Sequence, residues 1–532
     1  VVYLYLFAAL APGLLLTVAG SAKCQRLSTL YRAVGIGCLA SIAGVVLAIT
    51  DSFWGQTRAA SIWRGPADSV FSLLSISVYV DRVTAIMWFV VAVIGSVVVR
   101  FSARYLDGNP RQPHFLRWLV ITLVATQLVI LSGNLVMFLL SWLLVSLGVH
   151  KLLVFYPERP RALACARKTF WVSRLGDLAI VGAIILLAQE FGTLDFADLF
   201  PKINDSLLHP SFTLQMIGFL IALGALTKSA QFPFHSWLPD SLETPTPVSA
   251  LMHAGIINAG GFLLIRMSPV MQTLPLASVI LATFGAITAA YGMSVMVTQP
   301  TIKKRLAYST VGQMGFMIMQ CGLGLYALAL LHIVAHAFYK AYAFLRAGSA
   351  MDQANEQLYF PIRTTISPYV AIPVVLALGA LVVLNDPSRP ERAIPISNLL
   401  PVLVVWIIAA SHLVLGSASI RSFKGLSVAL GLLMTVVMVA LYGGLSLFFS
   451  WALSDLLPPP LPFSWSVGLG ISLLFVVCFA LQCISRAIAA SSFGERFFIH
   501  LHNGFYLGLY GDRLVESVRV LRTKDVGGSH AK

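Results

Sequence analysis

The sequence predicts an all-α polytopic membrane protein of about fifteen transmembrane helices, each needing roughly 20 apolar residues to cross a hydrocarbon core of about 30 Å. Three observations carry that expectation. Of the 532 residues, 58% are hydrophobic and only 11% charged, with a mean hydropathy of +0.85. A soluble domain carries roughly 25% charged residues, so this chain cannot clothe a water-facing surface of its size. That ratio excludes disorder, a secreted disulfide scaffold and an ordinary cytosolic enzyme. Apolar runs of spanning length recur along the whole chain, and the basic residues concentrate in every second loop between them.

In chain order the runs lie near 3–20, 33–50, 82–100, 116–132, 134–155, 171–189, 213–238, 246–266, 274–297, 306–322, 327–346, 367–385, 397–416, 425–449 and 465–486. The first, YLYLFAALAPGLLLTVAG, has no basic leader region and no convincing cleavage site, so it reads as a retained helix. The loop at 51–81 ends in alternating apolar and polar residues and predicts a small hairpin on the outer face. The segment after 487 is partly amphipathic and reads as an interfacial helix or a docking surface. Alternate loops counted from the first hold seventeen Lys and Arg, Lys168 among them, against five in the opposite set. This asymmetry predicts an external N-terminus and a cytoplasmic C-terminus. It also accounts for the net charge of +15 without nucleic acid. The six cysteines include no CxxC and read as small apolar packing residues.

An ionisable side chain deep in the bilayer is costly and is a functional candidate by default. Three stretches concentrate such groups. In GALTKSAQFPFHSWLPDSLETPTPVSALMHAG, Lys228 is followed by Pro233, Pro239, Pro245 and Pro247, with His235, Asp240 and His253 nearby. Proline removes a backbone donor, and a broken helix at membrane depth is tolerated only where it is buried or lines a watery cavity. A desolvated lysine beside such a break can load and release a proton; a lysine snorkelling to an interface is the plainer reading.

In LHIVAHAFYKAYAF, His332, His336 and Lys340 stand at i, i+4 and i+8, drifting about 40° per step on a helix. They stack along one face over roughly 12 Å, as stepping stones for protons. Zinc held by the two histidines is the rival, although no HExxH glutamate or cysteine partner accompanies them. In RKTFWVSRLGDLAIVG, Arg174 and Asp177 are spaced to pair, either structurally or as part of the path.

These residues, with the strings KSAQFPFHSWLPDSLETPTPVSALMHAG, IKKRLAYSTVGQMGF and HIVAHAFYKAYAFLRAGS, resemble the antiporter-like family shared by respiratory complex I, Mrp cation/proton antiporters and membrane-bound hydrogenases, over about residues 80–350. The resemblance implies two inverted five-helix repeats with a broken helix in each. It implies an input-channel proton carrier at Lys228 and a central relay of His332, His336 and Lys340, with His253 bridging them. It divides the chain into N-terminal helices and loop (1–80), a proton-channel core (81–420), C-terminal transmembrane helices (421–490) and a cytoplasmic amphipathic tail (491–532).

Family members carry a glutamate after the tryptophan of the fifth helix, paired with the broken-helix lysine. Here Leu143 follows Trp142, so either Asp177 takes that role or coupling differs. A compact version of the family with these changes is most similar to the membrane subunits of DabA/DabB inorganic-carbon accumulation complexes. That similarity implies a non-enzymatic transport subunit of the bacterial inner membrane, with no cofactor or metal of its own. It also implies a DabA-like, carbonic-anhydrase-related partner holding zinc, and protons or sodium ions as the driving species. A proton-pumping subunit of a complex I-type, Mrp or hydrogenase complex is the alternative, and the missing glutamate keeps a structural anchor with a vestigial channel in view.

Overall fold

A computed structural model describes residues 2–21, 27–54, 57–66, 73, 75–205, 211–272, 274–348, 394–418, 424–483, 491–513 and 515. The expected span near 367–385 and Cys24 lie outside the described residues, as do Arg363, Arg389 and Arg392. The other fourteen expected spans all coincide with helices. These are α1 (Val2–Ser21), α2 (Leu27–Trp54), α3 (Arg82–Tyr105), α4 (Gln112–Leu131), α5 (Leu135–Leu153), α6 (Pro160–Phe191) and α8 (Phe212–Lys228). They continue with α10 (Thr246–Ala254) and α11 (Ala259–Arg266), which share one span, then α13 (Pro275–Thr298), α14 (Ile302–Gly322), α15 (Tyr326–Arg346), α16 (Ile396–Ala418), α17 (Lys424–Ala452) and α18 (Trp465–Cys483). Among the described residues, eleven helical stretches are individually long and apolar enough to cross a membrane. The chain is a multi-pass α-helical membrane protein.

Four further helices are short: α7 (Phe196–Asp205), α9 (Trp237–Asp240), α12 (Ser268–Met271) and α19 (Ser492–His502). The hairpin expected in 51–81 is present as β1 (Arg58–Arg64) and β2 (Ser75–Val80), antiparallel from Arg58↔Val80 to Arg64↔Ser75 with an irregularity between Ser61 and Trp63. It is tied to the bundle at the α4–α5 turn, where the Gly133 N–H donates to the Ser77 carbonyl at 2.8 Å. Asp195, before α7, gathers the hydroxyls of Ser75 and Ser77, the Asn134 amide and the Arg64 guanidinium.

The helix ends follow capping chemistry. Asp81 accepts from the Thr84 N–H at 2.7 Å to start α3, and Ser211 accepts from the Leu214 N–H to start α8. Helices α13 and α14 approach closely, because glycine faces backbone there. A Cβ on Gly285 would lie 2.4 Å from the Met319 nitrogen, and one on Gly315 2.4 Å from the Ala289 nitrogen. Such small-residue seams substitute for hydrophobic driving force between helices in lipid. This one seats α14, which carries Leu306, Ser309 and Thr310, closely against α13. The five described cysteines are free, and Cys38, Cys165 and Cys321 are buried.

A buried ion pair not anticipated from the sequence joins Asp81 to Arg266, with Nη1 to Oδ2 at 2.7 Å and both side chains 4% exposed. Arg266 also donates to Thr84 Oγ1 and lies over the Tyr79 ring. Burial pushes the Asp81 carboxyl up, but the guanidinium and the Thr84 donors outweigh it and hold the group below its ordinary range. A carboxylate whose folded value is depressed stabilises the fold above its unfolded pKa, and that stabilisation is lost as pH falls through the folded value. Arg266→Met leaves a buried, unpaired carboxylate and is expected to destabilise by about 3–5 kcal/mol, measured as detergent-solubilised thermal unfolding. The double variant Asp81→Asn/Arg266→Met recovers much of the loss.

Candidate functional site: a buried row of ionisable groups

The chain breaks where the prolines predicted. Helix α8 ends at Lys228, Ala230 takes a left-handed φ of 49°, and the backbone turns through Phe232–Pro233, a cis bond, before α9. Lys228 was expected well inside a span; it is instead the last helical residue, at the lip of the break, and its side chain is buried. The paired helices α10 and α11 are interrupted in turn by a 3₁₀ segment, Ile256–Asn258. Two non-regular stretches thus lie side by side in sequence. The break expected in a second repeat was not located among the described residues.

At the first site, Lys228 Nζ donates to Ser146 Oγ at 2.8 Å and lies 4.4 Å from the centroid of the Trp142 ring. The indole N–H of Trp142 donates to Asp177 Oδ1 at 2.9 Å. Asp177 is buried and its other oxygen lies 2.6 Å from Arg174 Nη2, so the expected i, i+3 pair forms. That approach is not aligned as a hydrogen bond, since Asp177 Oδ2 and Arg174 Nε both lack a hydrogen-bond partner. Trp142 therefore stands between an ammonium on its π face and a carboxylate at its N–H. This supplies a negative charge near Lys228 from α6, although Leu143 occupies the position where the family carries its acid. Ser146 and Trp142, which sequence reading did not single out as contacts of Lys228, complete the site.

At the second site, the His332 and His336 rings stack with centroids 6.0 Å apart, and His332 also meets Phe316 at 5.4 Å. Lys340 has no solvent exposure, and its Nζ donates to the Leu306 carbonyl at 2.9 Å and Ser309 Oγ at 2.7 Å. The row on α15 is therefore real for the two histidines, while the lysine turns onto one turn of α14. His253, also fully buried, reaches the same turn, with Nδ1 3.1 Å from Thr310 Oγ1 and its ring on Phe344 at 4.3 Å. The Thr310 hydroxyl spends its single proton on the Leu306 carbonyl at 3.0 Å. It can only accept from His253, which fixes the proton on Nδ1 and leaves Nε2 to exchange a proton elsewhere. The Leu306 carbonyl thus takes hydrogen bonds from both Lys340 and Thr310, and this turn joins the bridge residue to the relay.

At this second site four buried imidazole nitrogens have no hydrogen-bond partner among the described residues: His253 Nε2, His332 Nε2 and both nitrogens of His336. Buried polar atoms are nearly always satisfied, and in a polar interior water commonly does it. Among the described residues no set of three His, Cys, Asp or Glu side chains gathers as a metal site. His235, past the break, is buried against Tyr291 at a ring separation of 4.6 Å, with Nδ1 likewise unpartnered. It stands apart from the α15 row, beside Lys168. Lys168 departs from expectation: counted as a loop residue, it is buried within α6.

Comparison with known proteins agrees with this architecture. Residues 132–390 match the family described as NADH:quinone oxidoreductase/Mrp antiporter, TM, and residues 71–116 match the N-terminal region of complex I chain 5. The chain is 34% identical over 474 residues to a probable inorganic carbon transporter subunit DabB2 of Halothiobacillus neapolitanus, covering 88% of this chain and 85% of the relative. It is 39% identical over 369 residues to a probable inorganic carbon transporter subunit DabB of Hydrogenovibrio crunogenus, covering 67% and 70%. In fold it is similar to a chain in the structure of the Mrp complex from Dietzia sp. DQ12-45-1b, with a TM-score of 0.57 at 23% identity, covering 99% of this chain and 59% of that one. A multi-pass bundle, a helix broken beside a buried lysine and these matches lead to one conclusion: the chain belongs to the DabB family of inorganic carbon transporter subunits, within the NADH:quinone oxidoreductase/Mrp antiporter group.

Proposed function

We propose that the chain is the ion-conducting membrane subunit of an energy-coupled inorganic-carbon accumulation complex. Its core, residues 81–420, passes protons, or another cation, through Lys228, His253, His332, His336 and Lys340, with Asp177 balancing charge at Lys228 and His235 serving one end. A carbonic-anhydrase-like partner of the DabA type holds the zinc and hydrates CO2. Hydration converts CO2 and water to bicarbonate and one proton, so a path that takes up or gates that proton makes the conversion one-way. The chain sits in a bacterial inner membrane with its N-terminus outside and its C-terminus in the cytoplasm, as the loop charges suggest.

The observation that supports this most is the concentration of buried, partnerless imidazole nitrogens around Lys340 and His253. Groups so expensive to bury are retained where protons must be held and released. A carbonic-anhydrase-deficient strain carrying this chain with its partner is expected to grow in air, and Lys228→Ala is expected to abolish that growth while the protein remains in the membrane. Rescue undiminished in both Lys228→Ala and Lys340→Ala would leave only an anchoring role. The match to the oxidoreductase and Mrp family favours a second reading, a proton-pumping subunit of such a complex. Quinone-linked or sodium-linked transport without any carbon-dependent growth would decide for it.

A further inference from the structure

The segment after α19 folds back onto the bundle rather than lying free. His502 and Gln299 exchange hydrogen bonds with the backbone of each other's helix ends: His502 Nδ1 lies 2.9 Å from the Thr298 carbonyl, and Gln299 Nε2 donates to the His502 carbonyl at 3.0 Å. The Tyr291 hydroxyl donates to the Gly504 carbonyl at 3.0 Å. A Cβ on Gly504, whose φ is 56°, would lie 2.7 Å from the Tyr291 hydroxyl and 3.1 Å from that of Tyr308. Phe505 and Tyr506 continue in the left-handed region at φ of 52° and 60°. That conformation costs non-glycine residues roughly 1 kcal/mol or more each, so surrounding contacts must hold it.

The strongest of those contacts is Lys168. Its side chain is 2% exposed, and its Nζ lies 2.7 Å from Asp240 Oδ2, beyond the break, and 2.7 Å from Asp512 Oδ1. It also donates to the Gly508 carbonyl at 3.1 Å. An ammonium has three donors, and all three are spent joining the returning segment to α9. Beneath that segment Tyr291 packs on His235, the buried histidine with an unpartnered Nδ1. Within α14, Tyr308 lies in the same Leu306–Thr310 turn that holds Lys340 and His253.

We propose that residues 503–512 form a strap over the mouth of the ion path at the broken helix, latched by Lys168 on Asp240 and Asp512, and that the strap must lift for ions to pass. This rests on the reading of the chain as an ion conductor. The closed position has a direct chemical test: a Cβ on Gly511 would lie 3.3 Å from Ser236 Oγ, close to the Cβ-to-sulfur separation across a disulfide. In the whole complex, Ser236→Cys/Gly511→Cys is expected to cross-link on mild oxidation where neither single variant does. In proteoliposomes the oxidised form is expected to lose proton flux by about ten-fold or more, as for a gating element, with flux restored by reductant.

Asp512→Asn, which weakens the latch at a partly exposed pair, is expected to raise flux by about three-fold. No cross-link would overturn the closed position. A cross-link with flux unchanged would make the segment a static brace, while ion conduction would stand. If wild type and reduced variant both move no ions, ion conduction itself fails, and the strap with it.

Discussion

Lys340→Met is expected to lower proton flux by about 100-fold or more, the loss that follows when a group transferring the proton is removed, without unfolding the protein. Methionine has similar length and no charge, and volume-conserving swaps cost under about 1.5 kcal/mol; removing a buried ammonium offsets part of that. Its two acceptors survive the loss. Ser309 is a rotatable hydroxyl, and the Leu306 carbonyl keeps the Thr310 hydrogen bond. Lys340→Arg separates the two ways a cation could matter here. Arginine keeps the charge but does not release its proton at any working pH, so it is expected to be as inactive as methionine. Activity retained with arginine would make Lys340 a fixed electrostatic element rather than a carrier. Flux is read as pH change inside proteoliposomes, and folding as thermal unfolding of the same preparation.

Asp177→Asn is expected to lower flux by ten- to hundred-fold, equivalent to about 1.4–2.7 kcal/mol in the barrier. The carboxylate is the negative charge across Trp142 from Lys228, and it accepts the indole N–H. Asparagine preserves that hydrogen bond through its carbonyl, so packing at Trp142 survives while the charge is lost. Leu143→Glu in the Asp177→Asn background tests the substitution of one acid for another. Residue 143 is three before Ser146, the hydroxyl that takes the Lys228 ammonium, so a glutamate there faces the same side of α5. Recovery of about ten-fold in flux is expected. Full activity of Asp177→Asn alone would assign the Arg174–Asp177 pair a structural role only.

What could be read from the sequence was what repeats locally. Apolar runs follow from the thickness of a bilayer, and the i, i+4 histidines of α15 follow from helical periodicity. The prolines after Lys228 announced a break because each removes a backbone donor. Asp177 stood out because acids inside apolar runs are rare, but its hydrogen bond to Trp142 joins two helices and has no local signature. The same holds for Asp81 with Arg266, 185 residues apart in the chain. Lys168 looked like one more inner-loop charge because its partners come from α9 and from the C-terminal segment. The helical interruption at Gly255–Asn258 carries no proline and left no trace. Sequence position also put Lys228 mid-span, because continuous hydropathy runs through the break.

The most direct measurement is proton uptake by proteoliposomes holding the whole complex, under an imposed pH gradient and with CO2 supplied. The wild-type complex is expected to dissipate the gradient as bicarbonate forms, while Lys228→Ala and Lys340→Ala, each folded and assembled, leave it standing. Equal dissipation by all three would contradict a path built on these buried groups.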